Sequence, residues 1–395
     1  MTLRVLVLST LFPDMSRPNF GIFVERQTRE LASRPDVKVT VVAPIGMPPW
    51  PLSRAARYGQ LRHVKDHENW QGLQIYRPRF TTLPGMGGRN VGAMARAILP
   101  LVRRLHAERP FDVIDASFFY PDGPVAQRLS KALGIPYSVK ARGADIHHWG
   151  RQKATRAKVL SAGLQAGGLL AVSGAMKSSM VAMGMDADRI TVHYTGVDLT
   201  SFTPGDRDAL KAELGLHGSV VLCVGALIPR KGQELLIRAL PELPSVQLML
   251  LGQGPERRNY EALAAKLGVA DRVGVPGAIP HANLPKFFAA ADVMALPSAS
   301  EGLANAWVEA LACGTPIVIT DVGGARELID RPEAGLIVER TSQALVAGIR
   351  QVLANPPEPE KVRGAAERFT WAANGETLEA HLRAVAGKPA AAKAF

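Results

Sequence analysis

Short runs of apolar, β-branched residues alternate along the chain with stretches in which apolar positions recur every three or four residues. LRVLVLS is followed by the helical pattern FVERQTRELAS and then by VKVTVVAP, while FDVIDAS, IPYSVKA and GGLLAVS mark later strands. Strands that read as continuous apolar runs and alternate with helices predict a parallel, doubly wound sheet with both faces covered. The rhythm restarts after TGVDLTSFTPGDRDALKAELGL, a crossing rich in Gly, Pro and Asp: SVVLCVGAL, VQLMLLG, RVGVPG, DVMALPS and TPIVITD each lead into helix or turn signals. The pattern predicts an α/β protein of two tandem Rossmann-like domains, residues 1–200 and 201–371, joined near 197–217. The cleft between such domains is the expected ligand site. The segment TWAANGETLEAHLRAVAG reads as an amphipathic helix, followed by a tail expected to fray.

One stretch breaks the rhythm. Residues 47–90, with WPLSRAARYGQLRHVK and YRPRFTTLPGMGGRN, read as a long loop of the kind that is functional or mobile. The helix after it, VGAMARAILPLVRRLHAER, has a basic end and an apolar face, and is expected to pack on the sheet rather than lie on lipid headgroups.

Charge changes the picture by its distribution. The chain of 395 residues carries a net +12; residues 1–200 hold 27 Lys/Arg against 14 Asp/Glu, and the rest 20 against 21. The first half is thus expected to face something anionic, a membrane surface or a phosphorylated substrate. Nucleic acid is disfavoured, because aromatics make up only 6% and no RNA-binding signature or metal-finger spacing occurs. Cys223, inside VVLCVG, and Cys313 read as buried thiols in a reducing compartment. MTLRVLVLSTLFP has one basic residue and no small-residue cleavage site, and so reads as a first strand rather than a signal sequence. With no run of about 18 apolar residues, any membrane contact is expected to be peripheral.

The richest stretch for chemistry is EGLANAWVEALACGTP, which begins at Glu301 and follows the strand DVMALPS, at the C-terminal edge where ligands of parallel sheets bind. Asn305 is the expected helix N-cap and Gly314 the stop. The N–H groups of Gly302, Leu303, Ala304 and Asn305 would form a small cup for an anion or hydroxyl. Glu309, one turn in, leans back toward that cup, with Glu301 at its entrance. Two carboxylates repel phosphate at such a helix end unless each takes up hydroxyls, a ribose diol on one and a sugar ring on the other. The alternative is purely structural, with Glu301 capping a turn and Glu309 pairing with an Arg. Arg230 and Lys231, after the strand SVVLCVG, are candidates to clamp a diphosphate and stabilise a leaving group, or else belong to a solvated basic loop. Gly21, at a helix start, allows close approach of a phosphate to bare backbone.

Other motifs are weaker. The D-x-D pairs Asp186/Asp188 and Asp206/Asp208 precede helix or strand starts and read as caps and turns. GQGPER lacks the third glycine of a dinucleotide fingerprint, and no nucleophile elbow, Walker loop or H-E-x-x-H is present. His147 and His148 are candidates to line the cleft, though a histidine is more often structural.

The ordered set FGIFVERQ, RGADI, TGVDLTSFTP, VGALIPRKG, LLGQGPE, VPGAIP and ADVMALPSASEGLANAWVEALACGTPIVITDVGGARELI resembles the retaining glycosyltransferases of family 4, over nearly the whole chain and most specifically across 220–330. Within that family it is similar to the bacterial branch acting in teichuronic-acid and exopolysaccharide assembly. The resemblance implies the GT-B fold, with a C-terminal helix, 372–395, crossing back to the first domain. It implies a nucleotide-sugar donor on the second domain, an acceptor on the first, and no metal or other cofactor. Glu309 matches the ribose-binding glutamate, Glu301 the glutamate beside the transferred sugar, and Lys231 the diphosphate lysine. The backbone of Gly302, Leu303 and Ala304 matches groups that meet sugar and phosphates, and Gly21 the N-terminal loop glycine. Two positions depart from the family pattern. Gly225-Ala226 stands where many members have Arg after the strand glycine, so Arg230 is expected to supply that charge. Arg142 stands where many have His, and it can bind a phosphate but not shuttle a proton near neutrality.

The resulting expectation is a retaining hexosyltransferase using a nucleoside-diphosphate sugar, UDP before GDP. The acceptor is expected to be lipid-linked or a polysaccharide precursor, at the cytoplasmic membrane face. The alternatives are a catalytically silent nucleotide-sugar-binding scaffold and a sugar-nucleotide 2-epimerase. Base contacts, largely through backbone, are expected around Val275 to Ile279.

Overall fold

The computed structural model describes residues 2–55, 58–82, 85 and 87–391. It divides into two compact units, residues 1–196 with 371–395, and residues 197–370. The strands of the first are β1 (Leu3–Leu8), β2 (Val37–Val42), β3 (Ile45–Met47), β4 (His67–Trp70), β5 (Leu73–Tyr76), β6 (Arg79–Thr81), β7 (Val113–Ala116), β8 (Tyr137–Ala141), β9 (Gly168–Ala171) and β10 (Ile190–Val192). Eight form one sheet in the order β10-β9-β8-β7-β1-β2-β5-β4, parallel except for the β4–β5 hairpin, and β3 pairs with β6 separately. The second unit holds β11 (Ser219–Val224), β12 (Val246–Leu251), β13 (Val273–Gly277), β14 (Val293–Leu296), β15 (Ile317–Thr320) and β16 (Gly335–Val338), in the order β13-β12-β11-β14-β15-β16 and parallel throughout.

Every strand expected from an apolar run is present. The stretch 47–90, read as a loop, instead carries β4, β5 and β6. HENWQGLQIY folds as a hairpin whose turn residues Gln71 and Gly72 have φ of 50° and 90°, the left-handed pair that suits a two-residue turn. The helix Asn90–Glu108 buries Val91, Met94, Ile98, Val102 and Leu105, spaced three to four apart, so its apolar face packs as expected.

The C-terminal helix runs from Trp371 to Ala386, matching the amphipathic segment 370–387, and ends ahead of Gly387 and Pro389, short of the 372–395 span; residues 392–395 lie outside the described residues. It belongs to the first unit, where it packs beside the helix Ile22–Ser33. Val5, Val7, Val24, Leu31, Val113, Leu378 and Leu382 make their common core.

In the second unit the loops after β11 and β12 are locked by glycine. A Cβ on Gly252, at φ +153°, would lie 1.9 Å from the Gly225 carbonyl oxygen, and one on Gly254 would lie 2.1 Å from that of Leu227. The LLGQGPE motif is thus a packing device between neighbouring loops. Gly252→Ala is expected to lower unfolding stability by about 3 kcal/mol or more, through backbone overlap as well as a disfavoured φ. Gly72→Ala, at φ +90° with nothing within 4 Å of a Cβ, is expected to cost only about 1 kcal/mol. Urea midpoints of the two variants check the contrast.

Candidate active site

Because β11 and β14 are neighbours, the loops that follow them leave the second sheet side by side. The first carries the short turn Pro229–Lys231; the second runs from Pro297 to the helix Asn305–Ala312. Their backbones touch: Gly232 has φ +76°, and a Cβ there would stand 2.3 Å from the Pro297 carbonyl oxygen. Arg340 braces both, Nε donating to Pro297 O at 3.0 Å and Nη2 to Pro229 O at 3.2 Å. From the other side Thr320 donates to Ser298 O at 2.6 Å and Gly324 N to Gly302 O at 2.7 Å.

This bracing brings Lys231 Nζ within 2.7 Å of Glu301 Oε1. The same oxygen accepts from Ser298 Oγ at 2.6 Å, and Arg230 Nη1 stands 3.6 Å away while donating to the Ser300 carbonyl. Glu301 is only 9% exposed, and removing one partner of so buried a pair leaves the other charge uncompensated. Such a cluster presents fixed cations to a phosphate and a carboxylate to hydroxyls.

The helix that follows begins one residue earlier than expected. Asn305 is its first helical residue and Ala304, with extended dihedrals and no capping side chain, holds the cap position. The N–H groups of Leu303 and Ala304 have no partner among the described residues, so the cup lacks a side-chain plug. Glu309 Oε1 lies 2.8 Å from His281 Nε2, a histidine and not the arginine of the structural alternative. In β13 and beyond, the Val275 carbonyl already accepts from Arg257 Nη2 at 2.7 Å.

The first unit holds the remaining candidates. Gly21, at φ +70°, caps the helix Ile22–Ser33, and a Cβ on it would lie 2.4 Å from Leu11 O. Arg142, just past β8, donates from Nε to Ser117 O at 2.8 Å and from Nη2 to Gln27 Oε1 at 3.1 Å, and its guanidinium lies 4.8 Å from the centroid of Phe23. Phe23 is two residues beyond Gly21, so the two candidates share one corner of the sheet. Burial lowers the Arg142 pKa to about 10, opposed by Asp115, Asp145 and Asp122, and it stays charged at neutrality. His148, itself exposed, instead contacts Gln152 at 2.8 Å. Asp186 and Asp206 are helix caps, accepting from Asp188 N and Ala209 N at 3.0 Å each. Cys223 and Cys313 are buried, and burial raises the Cys223 thiol to about 12. No group of three His, Cys, Asp or Glu able to hold a metal occurs among the described residues.

His281, Ser298 and Arg340 were not found from sequence. Ser298 sits three residues before Glu301 in an otherwise unremarked turn, and nothing local marks Arg340, whose partners are 43 and 111 residues away.

Two family models cover most of the chain: one for glycosyl transferases group 1 over residues 206–369, and one for glycosyltransferase family 4 over residues 21–201. A D-inositol 3-phosphate glycosyltransferase of Acidothermus cellulolyticus is 33% identical over 74% of this chain and 75% of its own. The chain belongs to glycosyltransferase family 4. A putative teichuronic acid biosynthesis glycosyltransferase, TuaC of Bacillus subtilis, is 28% identical over 88% of both chains. A D-inositol 3-phosphate glycosyltransferase of Segniliparus rotundus is 38% identical, but the match spans only 48% of that protein and 50% of this one. Among solved structures, sucrose-phosphate synthase of Thermosynechococcus elongatus superposes with a TM-score of 0.80 at 22% identity, over 96% of this chain and 98% of that one. HepE of Anabaena, in complex with UDP and glucose, gives 0.73 at 22% identity, over 96% and 99%. The fold of this family 4 glycosyltransferase is therefore GT-B.

One titration is accessible to test in the first unit. Asp122 is fully buried and accepts Thr10 N at 3.1 and 3.2 Å; burial, reinforced by the Asp145 charge, raises its pKa to about 7. An acid raised in the fold contributes stability that is complete below its unfolded value near 4 and lost as pH rises through about 7. Asp122→Asn, which keeps an oxygen acceptor, is expected to flatten the fall in stability between pH 4 and 7, as read from melting temperatures across that range.

Proposed function

We propose that this family 4 enzyme moves a hexose-type sugar, with retention and without a metal, from a nucleoside diphosphate, UDP before GDP. The acceptor is a lipid-linked or polysaccharide-precursor saccharide of cell-envelope or exopolysaccharide assembly. The second unit takes the donor and the first the acceptor. The observation that carries this reading is the Lys231–Glu301–Ser298 cluster, with Arg230 beside it and the open helix end of Leu303 and Ala304 following. Lys231 and Arg230 stabilise the departing diphosphate, Glu301 takes hydroxyls of the transferred sugar and Glu309 those of the ribose. The acceptor hydroxyl attacks the anomeric carbon on the face the diphosphate leaves, and its proton passes to a phosphate oxygen of the leaving group. On the first unit, Gly21 and Arg142 are the groups suited to a phosphate of the substrate. UDP is favoured by the UDP-bound HepE neighbour, and an envelope saccharide by the naming of the TuaC relative.

Release of nucleoside diphosphate from a panel of UDP-glucose, UDP-N-acetylglucosamine and GDP-mannose, with candidate acceptors, tests this. Lys231→Ala is expected to lower kcat/KM by about 10²–10³-fold, and Glu309→Gln to raise the donor KM by about tenfold. Both variants matching the parent would sink the assignment. Turnover of the donor with no acceptor present would favour an epimerase.

Contact with an anionic membrane, at the inner face of the cytoplasmic membrane, is part of the same proposal. Trp50 is 74% exposed and Leu52 49%, beside exposed Arg54 in the basic first unit. No helix among the described residues is long and apolar enough to cross a membrane. Sedimentation with phosphatidylglycerol-rich vesicles is expected to be salt-sensitive and to weaken several-fold in Trp50→Ser with Leu52→Ser. Absence of binding at low salt would overturn the membrane contact.

A further inference from the structure

Behind Arg142 lies a buried polar chain that glycosyl transfer does not obviously need. Lys140, on β8, is fully buried; its Nζ stands 3.1 Å from Gln27 Oε1 and 2.9 Å from His193 Nδ1. A carbonyl oxygen only accepts, so His193 Nε2 carries the ring proton and donates to Asn374 O at 3.0 Å, which leaves Nδ1 of a neutral ring to accept from Lys140 Nζ. Burial, with Lys140 beside it, lowers the His193 pKa and so favours the neutral ring this requires. Asn374 lies in the first turn of the helix Trp371–Ala386, so Lys140 is anchored to that helix through one imidazole.

Gln27 is where this chain meets the site. Its Oε1 accepts from Lys140 and also from Arg142 Nη2, each at 3.1 Å. Together with Ser117 O and the Phe23 ring, it determines where the Arg142 guanidinium points. Nη1 is left without a partner among the described residues. Ser117, whose carbonyl takes Arg142 Nε, has a buried and unpartnered Oγ, and Asp115 Oδ1 is likewise buried and unpartnered. An amide oxygen orients the cation without adding to the negative charge that Asp115, Asp145 and Asp122 already place near it. Freezing an arginine before binding removes rotamer entropy that the ligand would otherwise have to offset.

We propose that Gln27 is a positioning residue for Arg142, holding its guanidinium with Nη1 open to an anionic phosphate group of the substrate, and that Lys140, tied through His193 to the C-terminal helix, holds Gln27 in turn. This rests on the reading that Arg142 meets a substrate phosphate. The test is a double-mutant cycle on the full chain, with the nucleotide sugar that the parent turns over in the donor panel. Gln27→Met is expected to lower kcat/KM about tenfold and Arg142→Met about 100-fold, with the double variant within about twofold of Arg142→Met, because a residue acting through another adds nothing once that other is gone. Additive losses, or a Gln27→Met enzyme equal to the parent, overturn the positioning role while leaving Arg142 in place. An Arg142→Met enzyme equal to the parent overturns the Arg142 reading and the proposal with it. A parent that turns over no donor overturns the functional reading beneath both. Should Gln27→Met fail to fold, Gln27→Asn, which withdraws the same oxygen by one methylene, runs the same cycle with the same outcomes.

Discussion

The carbonyl oxygen of Pro297 occupies the space in which a Cβ on Gly232 would lie, and the site of this enzyme depends on that contact. Only a residue with no side chain, able to hold φ near +76°, lets the loops after β11 and β14 stack backbone to backbone. At any greater separation Lys231 and Glu301 would not meet at 2.7 Å, and the cluster of two cations, a carboxylate and a hydroxyl would come apart. Arg340 and the Thr320 hydroxyl hold the same loops by hydrogen bonds, so the geometry is fixed from three sides.

The same logic recurs at the corner of the first unit. Gly21 pressed on the Leu11 carbonyl starts the helix that carries Phe23 and Gln27, and these two side chains fix Arg142. In each unit a glycine contact sets the loop, the loop sets a cation, and buried acceptors hold the cation still. Fixed charges in a partly dry setting act on phosphate more strongly than mobile ones in water, because reorganisation has already been met by folding.

Much of this was legible from residues alone, for identifiable reasons. Parallel strands buried on both faces leave apolar runs, so VLVL of β1, VVLCV of β11 and VMAL of β14 announced themselves. β4 and β5 did not: their half-exposed edge pattern is weak, and the sharpest local signal, Gln71-Gly72, sits inside a stretch rich in Pro and Arg. The cap at Ala304 was missed because the chain turns into the helix without any side-chain acceptor, leaving Asn305 as the more capable cap by type and the wrong one by geometry.

The sequence by itself determined the two runs of strand and helix, the glycines at their loop ends, the candidate charges and the likeness to family 4. Those are properties of local pattern, of backbone freedom at single residues and of motif order. The tertiary structure alone decided the partners: Glu301 with Lys231 across 70 residues, Glu309 with His281 across 28, and Arg142 with Gln27 across 115. Partner choice follows from which strands lie side by side, and strand order is set by how whole layers bury their apolar faces, which no short window of sequence contains.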